Sequence, residues 1–75
     1  MKSPTGVEIA LGQRWREVDP RFERIVEVVG LDSHGFGEQG AVMIRTIGST
    51  RLGTWARLSR FNGKRGGYAL EPKNE

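Results

Sequence analysis

Glycine recurs along this chain at Gly12, Gly30, Gly35, Gly37, Gly40, Gly48, Gly53, Gly63, Gly66 and Gly67. An isolated helix needs about 12 to 15 residues to be even marginally stable in water. The one long glycine-free window, residues 13–29, is split by Asp19-Pro20-Arg21, a turn signal with Asp first and the fixed φ of proline second. Helices have nowhere to grow, so the apolar residues must be organised in strands.

The strands are read as follows. Val7, Ile9 and Leu11 alternate with polar or small residues, and the run continues through Trp15 to Val18, predicting a first strand broken or bent at Gly12. Residues 22–31, FERIVEVVGL, form a long β-branched second strand. Ile25-Val26 and Val28-Val29 place apolar groups on both of its faces, which predicts a bulge or a strong coil. Residues 41–47, AVMIRTI, make a third strand with Val42, Ile44 and Thr46 on one face and Met43, Arg45 and Ile47 on the other. After a glycine-bounded hairpin loop at 48–53, residues 54–58 return as a fourth strand. If Ala56 and Leu58 face inward, Trp55 and Arg57 face out. Residues 59–62 suit one 3-10 turn, and residues 67–70 a short last strand. The expected fold is all-β: a small, strongly bent five-stranded barrel, SH3-like or OB-like, with the turn before the last strand favouring SH3-like. Residues 7–71 form one domain, residues 1–6 are expected as a flexible arm and residues 72–75 as a flexible tail.

Composition limits what such a domain can do. A chain of 75 residues buries a thin core, one that seldom supplies more than about 3 to 5 kcal/mol by itself. The absence of cysteine removes disulfides, thiol catalysis and cysteine zinc sites, and the single histidine, His34, has no second imidazole to join it. No metal or cofactor is expected. No apolar run approaches a membrane span, and MKSPTGVEIALG lacks the apolar stretch of a signal peptide, so the cytoplasm is the expected compartment. Net charge is +3 but uneven. Residues 1–44 hold five Lys or Arg against seven Asp or Glu, and residues 45–75 hold seven against two, giving −2 and +5. Such a basic half attracts nucleic acid, an acidic protein or a membrane surface, or is simply a solvated face.

Gly12, Trp15, Asp19-Pro20-Arg21 and Arg24, then Trp55 to Phe61 and Gly67-Tyr68-x-Leu70, resemble a pattern found in short uncharacterised proteins of bacteria and their phages. That pattern is roughly G-x-x-W-x-x-x-D-P-R-x-x-R, a middle hairpin, T-R-I-R-L-x-R-F and G-Y-x-L. This chain departs from it at Trp55-Ala56, where the pattern has a charged and then a branched apolar residue, and in a longer glycine-rich loop at 30–40. The resemblance implies a compact β-barrel and carries no activity.

The sharpest formal motif is Gly35-Phe36-Gly37-Glu38-Gln39-Gly40, which spells G-x-G-x-x-G. A dinucleotide fingerprint needs a following helix and an acid about 20 residues on. Here the β-branched AVMIRTI and four arginines follow, so a strand-connecting loop is expected. Glu17 with Asp19 and Glu23 with Glu27 share strand faces, but acid–base work needs a concave, water-poor site. These acids are expected as solvated partners of arginines. His34, in a glycine-flanked loop, cannot hold a general base in place.

The most informative surface is Met43 and Arg45 beside Trp55 and Arg57 across the expected hairpin. An exposed indole between guanidiniums stacks a base while the arginines meet phosphate. The competing reading makes Trp55 a lid over one end of the barrel with Arg57 stacked on it. Arg60, with Lys64 and Arg65 in the basic tip GKRGGY, extends this face as a rim, although a turn kept soluble by two charges explains Lys64 and Arg65 equally well. Trp15 is assigned to the core with its indole N–H bonded to a loop carbonyl. Asp19 and Arg21 are expected to lock their turn, with Arg24 or Arg60 as further partners. The function expected is a non-enzymatic binding module for nucleic acid using Met43, Arg45, Trp55, Arg57, Arg60, Lys64 and Arg65. The alternatives are a protein-interaction adaptor anchored by Trp55 and Met43, or through an exposed strand edge, and self-association of a thin-cored domain.

Overall fold

A computed structural model describes residues 1–21 and 24–71. Five strands, β1 Arg14–Glu17, β2 Ile25–Asp32, β3 Ala41–Thr46, β4 Thr54–Arg57 and β5 Tyr68–Leu70, form one antiparallel sheet in the order β4-β3-β2-β1-β5. A 3-10 turn, Leu58–Arg60, lies between β4 and β5. The protein is therefore all-β. Its ladder ends at β4 on one side and β5 on the other, so the sheet is open rather than closed by hydrogen bonds.

β3 follows the alternation of its sequence: Val42 and Ile44 are buried, and Arg45 faces solvent. β2 contains the expected irregularity. Its pairing with β3 runs through Val28↔Ile44 and resumes at Gly30↔Met43, leaving Val29 as the extra residue. One inserted residue lets Val26 and Val28 bury on the inner face while Val29 stays largely exposed, which resolves two adjacent apolar pairs without burying both faces. The start of this strand was expected at Phe22 and Glu23, which lie outside the described residues, as does the tail at 72–75.

One N-terminal expectation is corrected. Val7 to Leu11 are not part of the first strand, which begins only at Arg14. Ile9 is buried, but its N–H donates to the Met1 carbonyl at 2.9 Å instead of joining a ladder with β2. The chain then reverses over Ala10 to Gln13, with Gly12 at φ +87° and the Gln13 N–H on the Ala10 carbonyl. Alternation there encoded burial, not pairing. Residues 1–6 turn back on the chain: the Ser3 N–H donates to the Val7 carbonyl at 2.8 Å, the Val7 N–H donates to Ser3 Oγ, and Met1 packs on the core. Backbone pairing between residues 1–3 and 7–9 ties the terminus down, and the terminal ammonium caps it on Glu8 at 2.9 Å. That ammonium, by hydrogen bond and by charge, holds the Glu8 carboxyl below its ordinary pKa.

The core is aromatic at one end. Trp15, Phe61 and Tyr68 are all buried, with Trp15 edge-on to Phe61 at 5.0 Å between centroids and Phe61 tilted against Tyr68 at 5.1 Å. The Trp15 indole N–H donates to a carbonyl as expected, but to the side-chain amide of Gln13 at 3.2 Å. Ile9, Val26, Val28, Val42, Ile44 and Ala56 complete the cluster. The 3-10 turn begins one residue earlier than expected, at Leu58, whose N–H donates to the Gly40 carbonyl and so ends β4 at Arg57. Just before β5, Gly67 passes so close to the Arg60 carbonyl and the Asn62 side chain that a β-carbon has no room. Among the described residues no helix is long and apolar enough to cross a membrane.

Candidate functional site

The outward face of β2, β3 and β4 carries four of the expected residues. Gly30, Met43 and Trp55 stand opposite one another in one row across the three strands, with Glu27↔Arg45 and Ala41↔Arg57 in flanking rows. Trp55 is 45% exposed. A methyl group at Gly30 would lie 3.6 Å from Trp55 Cη2 and 3.1 Å from Met43 Cβ, so the indole reaches over the bare backbone of β2. Trp55 is thus a half-exposed plate on the outside of the sheet, and Arg57 does not stack on it. The Arg57 guanidinium lies over the Phe36 ring instead, 4.7 Å from its centroid. Arg45 donates to Glu27 at 3.2 Å. The two guanidiniums expected to flank the indole are both engaged.

The loop that presents Phe36 is the GFGEQG segment, and it connects β2 to β3. Phe36, Gly37 and Glu38 have φ of 53°, 66° and 74°, a left-handed turn closed by the Gly40 N–H on the Gly35 carbonyl. His34 Nδ1 meets Glu38 Oε2 across it at 2.8 Å. The helix needed to hold a pyrophosphate is replaced by this single turn.

Glu17, Asp19 and Glu27 pair with arginines as expected, although Glu17 and Asp19 are largely covered rather than solvated; Glu23 lies outside the described residues. Arg24 meets Glu17 at 2.9 Å and Arg21 meets Asp19 at 3.4 Å, so Asp19 pairs within its own turn. The Arg21 backbone N–H and then its guanidinium, helped by the charge of Arg65, hold the Asp19 carboxyl below the usual aspartate range. The loop carrying Arg65 meets the chain just after β1, where the Gly66 N–H reaches Val18, rather than beside Trp55. The tip carrying Lys64 and Arg65 is a built turn: Asn62 Oδ1 accepts from the Lys64 N–H, and the Gly66 N–H donates to the Val18 carbonyl.

Arg60 takes a different position from the other expected residues. Its guanidinium carbon lies 5.0 Å from the centroid of the Tyr68 ring, and one terminal nitrogen donates to the Gly66 carbonyl at 2.9 Å. There it lines a groove of about 250 Å³ together with Arg24, Arg45 and Arg51. Val26, Ile44, Ala56 and Tyr68 contribute buried apolar surface, Thr46, Ser49 and Thr54 contribute hydroxyls, and Trp55 borders it. No Asp or Glu lines this groove among the described residues.

Comparison with protein-family models, with curated proteins and with solved structures finds no match to this chain. The site has to be read from its own chemistry. Of the residues grouped from the sequence, Met43, Arg45, Trp55 and Arg57 share the outward face, Lys64 and Arg65, expected as its rim, lie outside the groove lining, and Arg24 and Arg51, missed by sequence reasoning, line it. Both missed residues sit at strand ends or in a loop, where side-chain alternation carries no information about direction. The one available signal was charge: Arg51 lies in a hairpin loop without an acid nearby in the sequence.

Proposed function

We propose that this protein is a non-enzymatic module that binds single-stranded nucleic acid weakly and with little sequence preference. The observation that carries the proposal is the position of Trp55, half exposed at the border of a groove lined by four arginines and no carboxylate. A π-face tolerates every base, and guanidiniums neutralise the phosphates between them. The strand order β4-β3-β2-β1-β5, with a 3-10 turn between β4 and β5, supports an SH3-like barrel as the scaffold. We place the chain with the short bacterial and phage proteins it resembles: Trp15 and Tyr68 of the shared pattern are core, and Asp19-Pro20-Arg21 is its turn. A cytoplasmic setting belongs to the same reading. Fluorescence anisotropy of a labelled oligothymidine tests it. Binding is expected at low salt, with log affinity falling linearly in log salt as counterions are released. Absence of binding at tens of micromolar protein in low salt ends the proposal.

A second reading rests on a separate observation, the apolar row Gly30, Met43 and Trp55, in which a thioether and an indole lie side by side on the outer face. Such a pair is the kind of anchor that protein partners bury. In that case Trp55→Ala removes partner binding and leaves oligonucleotide affinity unchanged.

A further inference from the structure

We infer that the groove lined by β2, β3, β4 and the hairpin between β3 and β4 is a single-nucleotide subsite, with Arg60 and Arg51 as its phosphate donors. The inference rests on the nucleic-acid reading above and locates the ligand on residues outside the Trp55 face. At about 250 Å³ the groove lies just below the roughly 300 to 1,000 Å³ of pockets for drug-sized ligands, so it admits one monomer of a polymer. Its lining selects the chemistry of that monomer. Arg51 and Arg60, which meet no carboxylate among the described residues, favour an anion, while the edges of Val26, Ile44 and Ala56 at the floor suit the face of a ring. Thr46, Ser49 and Thr54 also line the groove, and a hydroxyl can donate or accept at the mixed edge of a base, although Ser49 Oγ already accepts from the Arg51 N–H at 3.1 Å. A nucleotide joins ring and phosphate in one unit, whereas an acidic side chain has no ring.

Arg60 is preorganised for the anion. Stacking on Tyr68 and the hydrogen bond to Gly66 immobilise its plane before any ligand arrives. A guanidinium has five N–H donors, and only one of them goes to Gly66 in this arrangement. The remaining donors form a fork whose ordering entropy is already lost, which favours bidentate phosphate binding. Arg24 is likewise steadied through Nε by Glu17, leaving its terminal nitrogens. Arg51 forms no ion pair among the described residues, so its charge is not neutralised before the ligand binds. The strand then leaves the groove past Trp55, which stacks the neighbouring base.

The test titrates isotopically labelled protein with a short oligothymidine at low salt and follows backbone amides, alongside anisotropy on Arg51→Ala, Arg60→Lys and Arg57→Ala. Amide shifts are expected at Thr46, Ser49, Thr54 and Tyr68. Arg51→Ala should weaken binding about tenfold, the loss of a charged hydrogen bond. Arg60→Lys keeps the charge, loses the fork and should also weaken binding several-fold, while Arg57→Ala changes it less than about twofold. Shifts confined to Glu27, Met43 and Arg57, with Arg51→Ala neutral, overturn the subsite and leave nucleic-acid binding standing on the outer face. Equal displacement of the oligonucleotide by polyglutamate at matched charge overturns the nucleotide assignment in favour of an acidic peptide. Failure of the unaltered, folded protein to bind any oligonucleotide removes the functional reading itself.

Discussion

Trp15 and Trp55 stand on strands of the same sheet and have opposite fates. Trp15 is 1% exposed, packed edge-on against Phe61 with its N–H satisfied by Gln13. Trp55 is 45% exposed and lies on a glycine. Their immediate neighbours suggest the reverse, since Trp15 sits between Arg14 and Arg16, and Trp55 between Thr54 and Ala56. In a strand, adjacent side chains point to opposite faces. Two flanking arginines therefore send an indole inward, and a small inward Ala56 sends its neighbour out. The fate of a large aromatic is set by the residues that take the other face.

The contrast can be broken most forcefully at its buried end. Trp15→Ala should cost about 3 to 5 kcal/mol, comparable with the whole stability of a small core. The variant is expected to be unfolded at room temperature by far-ultraviolet circular dichroism. Gly67→Ala puts a β-carbon against the Arg60 carbonyl and Asn62. It should lower stability by about 1 to 3 kcal/mol, read as a shift in urea midpoint, and so tests how firmly the 3-10 turn is held over the aromatic core. Trp55→Ala, at the exposed end, should change stability by less than about 1 kcal/mol. The same variant should lower oligonucleotide affinity by about fivefold or more, the worth of one stacked base. Iodide quenching sharpens the comparison without disrupting the fold: with Trp15→Phe the remaining indole should be strongly quenched, and with Trp55→Phe hardly at all. A loss of fold in Trp55→Ala would make both indoles structural and erase the contrast.

The smallest expected effect is electrostatic. The Asp19 carboxyl is depressed in the folded protein by the Arg21 backbone N–H and guanidinium. Its contribution is therefore present above the unfolded aspartate value of about 3.9 and is lost as pH falls through the lower folded value. Asp19→Asn should lower the neutral-pH melting temperature slightly and flatten its decline over the acid range below about pH 4, measured by thermal melts at stepped pH.

Legibility varied along the chain for one physical reason. β3 and β4 were readable because their inward Val42, Ile44 and Ala56 are buried while the outward Arg45, Trp55 and Arg57 are exposed. The β2 bulge was readable because two adjacent apolar pairs cannot otherwise be accommodated. The segment Val7 to Leu11 alternated too, yet the N–H groups of Val7, Ile9 and Ala10 went to Ser3, Met1 and Gln13, since alternation reports which side chains are buried and not which backbone they pair with. The candidate site divides in the same way. Met43, Arg45, Trp55 and Arg57 follow from strand pairing, whereas the groove depends on how far the sheet curls.

Glycine spacing, the Asp-Pro turn and period-two patterning determined by themselves that this chain is all-β, which strands pair around the 48–53 hairpin, and that its positive charge gathers in the C-terminal half. Tertiary structure alone decided that the N-terminus docks, that Arg57 goes to Phe36 and Arg45 to Glu27, and that Arg24, Arg51 and Arg60 surround one groove. Local patterns specify the face a side chain takes, because that choice is made within a strand. The meeting of arginines from three separate segments depends on the bend and twist of the whole sheet, which no short stretch of sequence encodes.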